Sequence, residues 1–183
     1  MKYYAIRTND QVTVNSLIKG AISSTHSIKE LSRYENNLAI GDIVFIKVSG
    51  DDAFKSFNYS NSLIALGKII KLPYNQKVPT GKKQGVYDID IELEYILNPY
   101  ISADTLYIYP ETKNSLSIGA STKGMPNQAI GQLNTQNKGE FIIKALLDLN
   151  AISNIDSNQA VLSRFNITNN KLLKYHNPMT ITL

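Results

Sequence analysis

Residues 86–97 carry the strongest periodicity in the chain. Acidic side chains alternate there with apolar ones: Asp88, Asp90, Glu92 and Glu94 against Ile89, Ile91, Leu93 and Tyr95. Successive side chains of a β-strand point to opposite faces, so this alternation predicts a strand with one acidic, solvent-facing side and one buried side. Such a strand is stable only when other strands pair with it and a core covers its apolar face. The chain must therefore contain a sheet.

Four other stretches are predicted to be strands, at residues 3–8, 40–49, 62–72 and 105–109. The uninterrupted apolar run at residues 43–46 predicts burial on both faces. Gly41 and Asp42 are predicted to form a turn before that run. Gly67, inside an otherwise good strand, predicts a bulge or a close approach of another backbone.

The remaining segments are predicted to be helices and loops. Helices are expected at residues 12–22, 27–34, 138–152 and 157–165. In the second of these, Ser27 is the predicted N-cap and Glu30 takes the capping-box position. Loops are expected at residues 73–85 and 119–133, the latter entering a short helix near Asn127, and the tail from residue 166 is expected to be a strand or a linker. Strands interleaved with short helices predict an α+β fold, a small mixed β-barrel with helices packed outside it.

Length and composition limit the number of domains and the classes of site. The chain has 183 residues, enough for one domain with its own core, which we expect at residues 1–152 with a helical extension or linker at 153–183. The absence of cysteine excludes disulfides and thiolate metal sites, and His26 and His176 are far apart in sequence. No apolar run reaches the roughly 20 residues of a membrane span. We therefore expect a cytoplasmic protein without a membrane partner, a metal or a cofactor.

Positive charge is concentrated in the middle of the chain. The net charge is +4, and no acidic residue lies between Asp52 and Asp88. Lysines and aromatic residues share that interval, a combination that suits a surface that follows phosphates and stacks bases. A solvated, lysine-rich loop is an equally good interpretation. The candidate phosphate-binding residues are Lys68, Lys71, Lys77, Lys82, Lys83 and, in a later loop, Lys123.

The sequence motifs that could indicate catalysis are incomplete. Carboxylates at positions i and i+2 of one strand lie about 7 Å apart, too far to share an ion without ligands from elsewhere, so a solvated face is the favoured interpretation of the acidic strand. The segment GASTKG at residues 119–124 lacks the spacing of a nucleotide-binding P-loop. Its glycines and Lys123 suit either a bound phosphate or a simple helix cap. We therefore expect a binding protein and not an enzyme.

The first predicted strand runs directly into a helical pattern. Asn9 and Asp10 suit the helix N-cap, because their side chains accept hydrogen bonds from helix N–H groups that lack an intrahelical partner. The junction therefore presents backbone donors and small polar side chains, which suit a planar ligand that forms hydrogen bonds.

This junction also resembles a known family. Residues 3–6, the triplet Arg7-Thr8-Asn9 and residues 20–24 resemble the opening of YTH domains, which read N6-methyladenine in RNA. Residues 41–47 and 65–72 are similar to the second and third strands of YTH and EVE domains, which are grouped with the PUA-like barrels. The resemblance covers residues 1–75. More thinly, residues 119–130 resemble loops of N-terminal modules attached to McrB-type restriction GTPases.

The resemblance implies a PUA-like fold with a pocket for a modified base. An extruded base is held by hydrogen bonds to its edge and by stacking against aromatic side chains. Ile22 stands where the family usually has a tryptophan, and the chain has none. Another aromatic must therefore complete the cage, from Phe54, Phe57, Tyr59 and Tyr74, each of which is otherwise a core candidate. The implied base-pocket residues are Arg7, Thr8, Asn9, Asn15, Ile22, Ser23, Ser24, Phe57 and Tyr59.

These features lead to one main hypothesis and three alternatives. The main hypothesis is a reader of a modified, methylated base in duplex DNA, which flips the base and serves as the specificity domain of a modification-dependent restriction or defence system with a GTPase or nuclease assembly. The first alternative is an RNA-binding module of the same fold. A protein-interaction module that uses the acidic strand face and a metal-dependent nuclease rank below both.

Overall fold

The computed structural model describes residues 1–8, 15, 23–29, 36–48, 62–77, 86–102, 105–106, 130–133 and 136–149. Within these ranges the chain forms six strands and one helix of more than two residues. They are β1 (Tyr3–Thr8), β2 (Ser23–Lys29), β3 (Ile43–Val48), β4 (Ser62–Lys77), β5 (Val86–Ser102), β6 (Ile130–Gln132) and α1 (Gln136–Asp148).

The six strands form one mixed sheet in the order β2-β5-β4-β3-β1-β6. β1 and β3 run parallel, and every other neighbouring pair is antiparallel. β2 and β6 stand at the two ends of this order, so the described strands do not close into a barrel. The small mixed α+β class predicted from the sequence is confirmed.

β1 and β3 are buried on both faces, because a separate apolar core covers each face of the sheet at these strands. The core on the helix side contains Tyr3, Ala5, Ile43 and Phe45 with apolar residues of α1. The second core contains Tyr4, Ile6, Val44 and Ile46. This double burial confirms the prediction made from the apolar run at residues 43–46.

α1 packs its apolar face on the helix-side core. Ile142, Ala145 and Leu146 are buried there. The helix predicted at residues 138–152 is confirmed up to Asp148, and residues 150–152 lie outside the described part of the chain. Gly139 allows the helix to lie against β1, because a Cβ at this position would overlap the ring of Tyr3. Within the described part of the chain, no helix is both long and apolar enough to cross a membrane.

The predicted turn before β3 is confirmed and holds three strands together. Gly41 has a φ of +87°, which favours glycine. The Asp42 carboxylate accepts hydrogen bonds from the backbone N–H of Lys2 at 2.8 Å and of Ala39 at 2.9 Å. The Gly41 N–H donates to the Ile69 carbonyl at 2.8 Å. The starts of β1 and β3 are thereby fixed to each other and to β4.

The predicted close approach at Gly67 is also confirmed. The register of β4 against β5 shifts between Leu66 and Gly67. A Cβ at residue 67 would overlap the backbone carbonyl of Glu92. A glycine is therefore required by the close packing of the β5 backbone.

Four local predictions are wrong where the structure describes the residues. Residues 27–29 belong to β2 and not to a helix, because pairing with β5 outweighs the local capping pattern at Ser27. Residues 73–77 continue β4, where the register shift between Lys71 and Tyr74 accommodates Pro73. Residues 105–106 are helical and residues 130–132 form β6, too short to show a period. The predicted helix at 157–165, most of that at 12–22 and the tail lie outside the described residues.

Candidate functional site

The carboxyl ends of β1 and β3 lie side by side, because these two strands are parallel. Arg7 is opposite Lys47, and Thr8 is opposite Val48. Thr8 and Lys47 are buried, whereas Arg7 is half-buried and reaches solvent. The structure therefore brings the first two residues of the Arg7-Thr8-Asn9 triplet next to a lysine from a distant part of the sequence. We refer to Arg7, Thr8, Lys47 and Val48 as the carboxyl-end site.

Within this site, Arg7 and Thr8 belong to opposite faces of the sheet. Arg7 follows Tyr3 and Ala5 on the helix side of β1, and Lys47 follows Ile43 and Phe45 on the same side of β3. Thr8 belongs instead to the face that carries the second core, beside Val48. The site thus has a cationic side and a hydroxyl side, separated by the thickness of the sheet.

Lys47 is the functional candidate that sequence reasoning missed. It is only 4% exposed, within a strand whose other five residues are buried and apolar. Burial lowers the pKa of the Lys47 ammonium below its ordinary value, and the neighbouring Arg7 guanidinium lowers it further. The available signal was a lysine inside an apolar run, but only the β1–β3 register shows that Arg7 stands beside it.

The structure describes only some of the other predicted pocket residues. Asn15 has helical backbone and is half-buried. Ser23 and Ser24 begin β2, where their backbones pair with Glu92 and Ile91. In the sheet order, β3, β4 and β5 stand between β1 and β2. Outside the described residues lie Asn9, Ile22, Phe57, Tyr59, Lys82, Lys83 and Lys123, whose roles stay predictions.

A second candidate surface lies on neighbouring strands β4 and β5. The Lys68 Nζ is 3.0 Å from the Glu94 Oε1, so this predicted phosphate ligand is held by a carboxylate. The Tyr74 hydroxyl donates to the Asp90 Oδ1 at 2.7 Å. Lys71 lies over the Tyr74 ring, with its Nζ 3.6 Å from the ring centroid, and so occupies one stacking face of that tyrosine. We refer to these five side chains as the β4–β5 network.

The acidic side of β5 is therefore partly neutralised by the neighbouring strand. Glu92 is exposed as predicted, whereas Asp90 and Glu94 are half-buried and have partners in the β4–β5 network. Lys77, another predicted phosphate ligand, lies at the end of β4 opposite Val86. Among the described residues, no three histidine, aspartate or glutamate side chains are grouped closely enough to hold a metal ion.

Solved structures share this fold. Protein Atu2648 from Agrobacterium tumefaciens aligns with a TM-score of 0.54 and 12% identity, over 84% of this chain and 96% of its own. Rpa0253 from Rhodopseudomonas palustris aligns with a TM-score of 0.51 and 16% identity, over 79% and 92%. A complex of RNA with the YTH domain-containing protein mmi1 aligns with a TM-score of 0.46 and 8% identity, over 81% and 85%.

No protein-family model matches the sequence, and no curated protein sequence matches it. The likeness to Atu2648 and Rpa0253 lies below 25% identity and establishes the fold alone. Together with the six-stranded mixed sheet and its helix, it confirms the predicted small α+β fold.

Proposed function

We propose that this protein is a nucleic-acid-binding module that reads a modified base at the carboxyl-end site. The observation that supports this most directly is the place of the Arg7-Thr8-Asn9 triplet: its first two residues end a buried strand, beside a second parallel strand and a buried lysine. The resemblance of residues 3–24 to the opening of YTH domains supports the same site.

The chemistry of the site suits a flipped base. The Thr8 hydroxyl both donates and accepts a hydrogen bond, and the Asn9 amide offers one donor and one acceptor to the edge of an adenine. Extruding a base costs a few kcal/mol of stacking and pairing. Cations beside the pocket offset part of that cost by attracting the backbone phosphates.

The natural ligand in this proposal is duplex DNA that carries a methylated base. The module supplies specificity to a modification-dependent restriction or defence system in the cytoplasm, and an associated GTPase or nuclease assembly carries out the reaction. The resemblance of residues 119–130 to modules of McrB-type GTPases supports this context. In this arrangement the module binds its ligand without chemically changing it.

The test is a titration of the protein, at low salt, into labelled duplexes with methylated adenine, methylated cytosine or no modification. Single-stranded RNA equivalents are measured alongside. We expect tighter binding to one modified duplex, and we expect Asn9→Ala to weaken that binding far more than binding to the unmodified duplex. An equal loss for both would contradict the assignment of Asn9 to the pocket.

The same titration separates the competing functions. A preference for RNA that disappears on 2′-deoxy substitution would identify the RNA-binding alternative. The absence of salt-dependent binding to every oligonucleotide would favour a protein-interaction module. The β4–β5 network makes that outcome less expected, because Asp90 and Glu94 already have partners on β4.

A further inference from the structure

The large apolar side chains that are exposed in the described part of the chain lie in one region of the fold. They are Met1, Ile40, Ile70 and Leu72, and the last three are 66%, 44% and 42% exposed. A single exposed apolar residue is ordinary on a protein surface, whereas a group of neighbouring ones marks an interaction surface. We refer to these four residues as the apolar edge.

Backbone hydrogen bonds bring the apolar edge together from distant parts of the sequence. The Gly41 N–H donates to the Ile69 carbonyl at 2.8 Å, and the Ile69 N–H donates to the Asp42 carbonyl at 3.0 Å. Ile40 and Ile70 are therefore the chain neighbours of two residues that are bonded to each other.

Met1 is attached to the same turn through the residue that follows it. The Lys2 N–H donates to the Asp42 carboxylate, and the Ile43 N–H donates to the Lys2 carbonyl. The apolar edge is thus held at the amino ends of β1 and β3, where the turn of residues 39–42 meets β4.

The second half of β4 leaves one of its edges open. β4 pairs with β3 as far as Lys68, and from Ile70 to Lys77 its ladder among the described residues is with β5 alone. Leu72 lies on this half of the strand. Pro73 follows it and has no N–H to donate, so the open edge is a poor template for adding another strand. A partner is therefore held here mainly by side chains.

Two lysines flank the apolar edge, and their recorded partners are neutral. The Lys2 Nζ donates to the Asn37 carbonyl at 3.0 Å, and the Lys71 Nζ lies 3.6 Å from the centroid of the Tyr74 ring. In the part of the chain that the structure describes, neither ammonium forms an ion pair with a carboxylate. The surface thus combines exposed apolar side chains with uncompensated positive charge.

We propose that the apolar edge binds an acidic, amphipathic segment of a partner protein. The apolar side chains of this segment cover the apolar edge, and its carboxylates pair with Lys2 and Lys71. A second copy of this chain fits less well, because a two-fold interface places the same patch on both sides and brings like charges together. A nucleic acid would match the two lysines but would leave the apolar side chains against charged phosphates.

This surface is separate from the carboxyl-end site. β1 has six residues, Tyr3–Thr8, and so separates the two regions by about 17 Å. The protein partner and a nucleic acid can therefore be bound at the same time, and the proposal does not depend on the proposed function.

The experiment selects peptides from a displayed random library against the whole protein. Enriched peptides are synthesised, and their affinities are measured by fluorescence anisotropy for the wild type, Ile70→Ser, Lys71→Glu and the control Lys144→Glu. Lys144 is a suitable control because it is a partly exposed lysine on α1, paired with Asp148 at 3.1 Å. Thermal unfolding establishes that each variant is folded, which we expect because surface substitutions change stability little.

We expect the enriched peptides to combine acidic and apolar residues. Ile70→Ser should weaken their binding about 10- to 30-fold, as for truncation of an interface anchor. Lys71→Glu should weaken it by more than about 10-fold at low salt and by less at high salt, because salt screens the repulsion between like charges. Lys144→Glu should bind like the wild type, and Ile70→Ser should keep the wild-type affinity for DNA duplexes.

Three results would overturn the proposal. The first is that no peptide is enriched, or that the enriched peptides bind Ile70→Ser and Lys71→Glu as tightly as the wild type. The second is a wild-type dimer in sedimentation that becomes a monomer in Ile70→Ser, which would assign the apolar edge to a second copy. The third is a loss of duplex affinity in both variants without peptide binding, which would assign this surface to nucleic acid.

Discussion

The charged groups at the two ends of the paired strands β1 and β3 are arranged differently. At the amino end, the Asp42 carboxylate accepts hydrogen bonds from two backbone N–H groups. The Asn37 carbonyl accepts hydrogen bonds from the Lys2 ammonium and the Tyr4 hydroxyl. At the carboxyl end, Arg7 and Lys47 place two like charges side by side. The first end holds the fold together, whereas at the second the charged form of Lys47 is disfavoured by burial and by Arg7.

The largest effect on stability should come from the amino end. Asp42→Ala removes two hydrogen bonds and leaves the backbone N–H groups of Lys2 and Ala39 without that acceptor. We expect the free energy of unfolding to fall by about 1.5–3 kcal/mol, as for the loss of hydrogen bonds to a charged group, since both bonds are partly buried. Urea denaturation measures this, with Asp148→Ala on α1 as control. A loss no larger than the control's would show that Asp42 does not anchor these strands.

At the carboxyl end, replacing the charged residue should raise the free energy of unfolding instead of lowering it. Lys47→Met replaces a buried charge by an apolar side chain of similar length, and we expect a gain of about 1 kcal/mol at neutral pH. Because the pKa of Lys47 is lowered in the folded state, the unfolded state binds more protons as pH rises towards 10.5. Wild-type stability therefore rises with pH in that window, and the advantage of the variant shrinks. A variant that is less stable at every pH would contradict this assignment.

Tyr3 tests the helix-side core at the amino end of β1. Among the described residues its buried hydroxyl has no hydrogen-bond partner, so Tyr3→Phe should stabilise the protein by about 0.5–1 kcal/mol. Burial, with a smaller contribution from the Glu140 carboxylate, raises the pKa of Tyr3 above its ordinary value. Wild-type stability is thus fully present below pH 10 and declines above it as the unfolded state ionises. Unfolding at pH 7 and pH 11 checks this, and an equal decline in Tyr3→Phe would exclude Tyr3 as its source.

The smallest effect is expected in the β4–β5 network. Lys68 and Glu94 form a partly exposed ion pair, so their coupling free energy should be only about 0–1 kcal/mol. A double-mutant cycle with Lys68→Met and Glu94→Gln measures it. In nucleic-acid binding, Lys68→Met should have only a small effect, because Glu94 already neutralises the charge of Lys68. A large effect at Lys68 would indicate that β4 carries a phosphate-binding surface.

The sequence predicted those elements whose signal is local and long. β1, β3 and β5 were predicted correctly because their apolar runs or alternation determine how they are buried. β2 was missed because Ser27 and Glu30 imitate a helix start, and β6 has only three residues. These two strands depend on partners that are distant in sequence.

The same difference between local signals and long-range partners applies to the candidate site. Arg7 and Thr8 were identified from a motif of adjacent residues, and the structure places them at the end of β1. Lys47 could not be recognised as their neighbour, because that requires the register between strands that are more than 30 residues apart in the chain. The same register shows that Arg7 and Thr8 belong to opposite faces of the sheet.

The most direct test of the central claim is the ratio of affinities for unmodified and modified duplexes, measured for the wild type and for Thr8→Val. This substitution keeps the shape of a buried side chain and removes its hydroxyl. The reader function predicts a clear preference for one modified duplex in the wild type and its loss in Thr8→Val, with the preference retained in Lys68→Met. A wild type that binds all duplexes equally, or a preference unchanged by Thr8→Val, would contradict a base pocket at the end of β1.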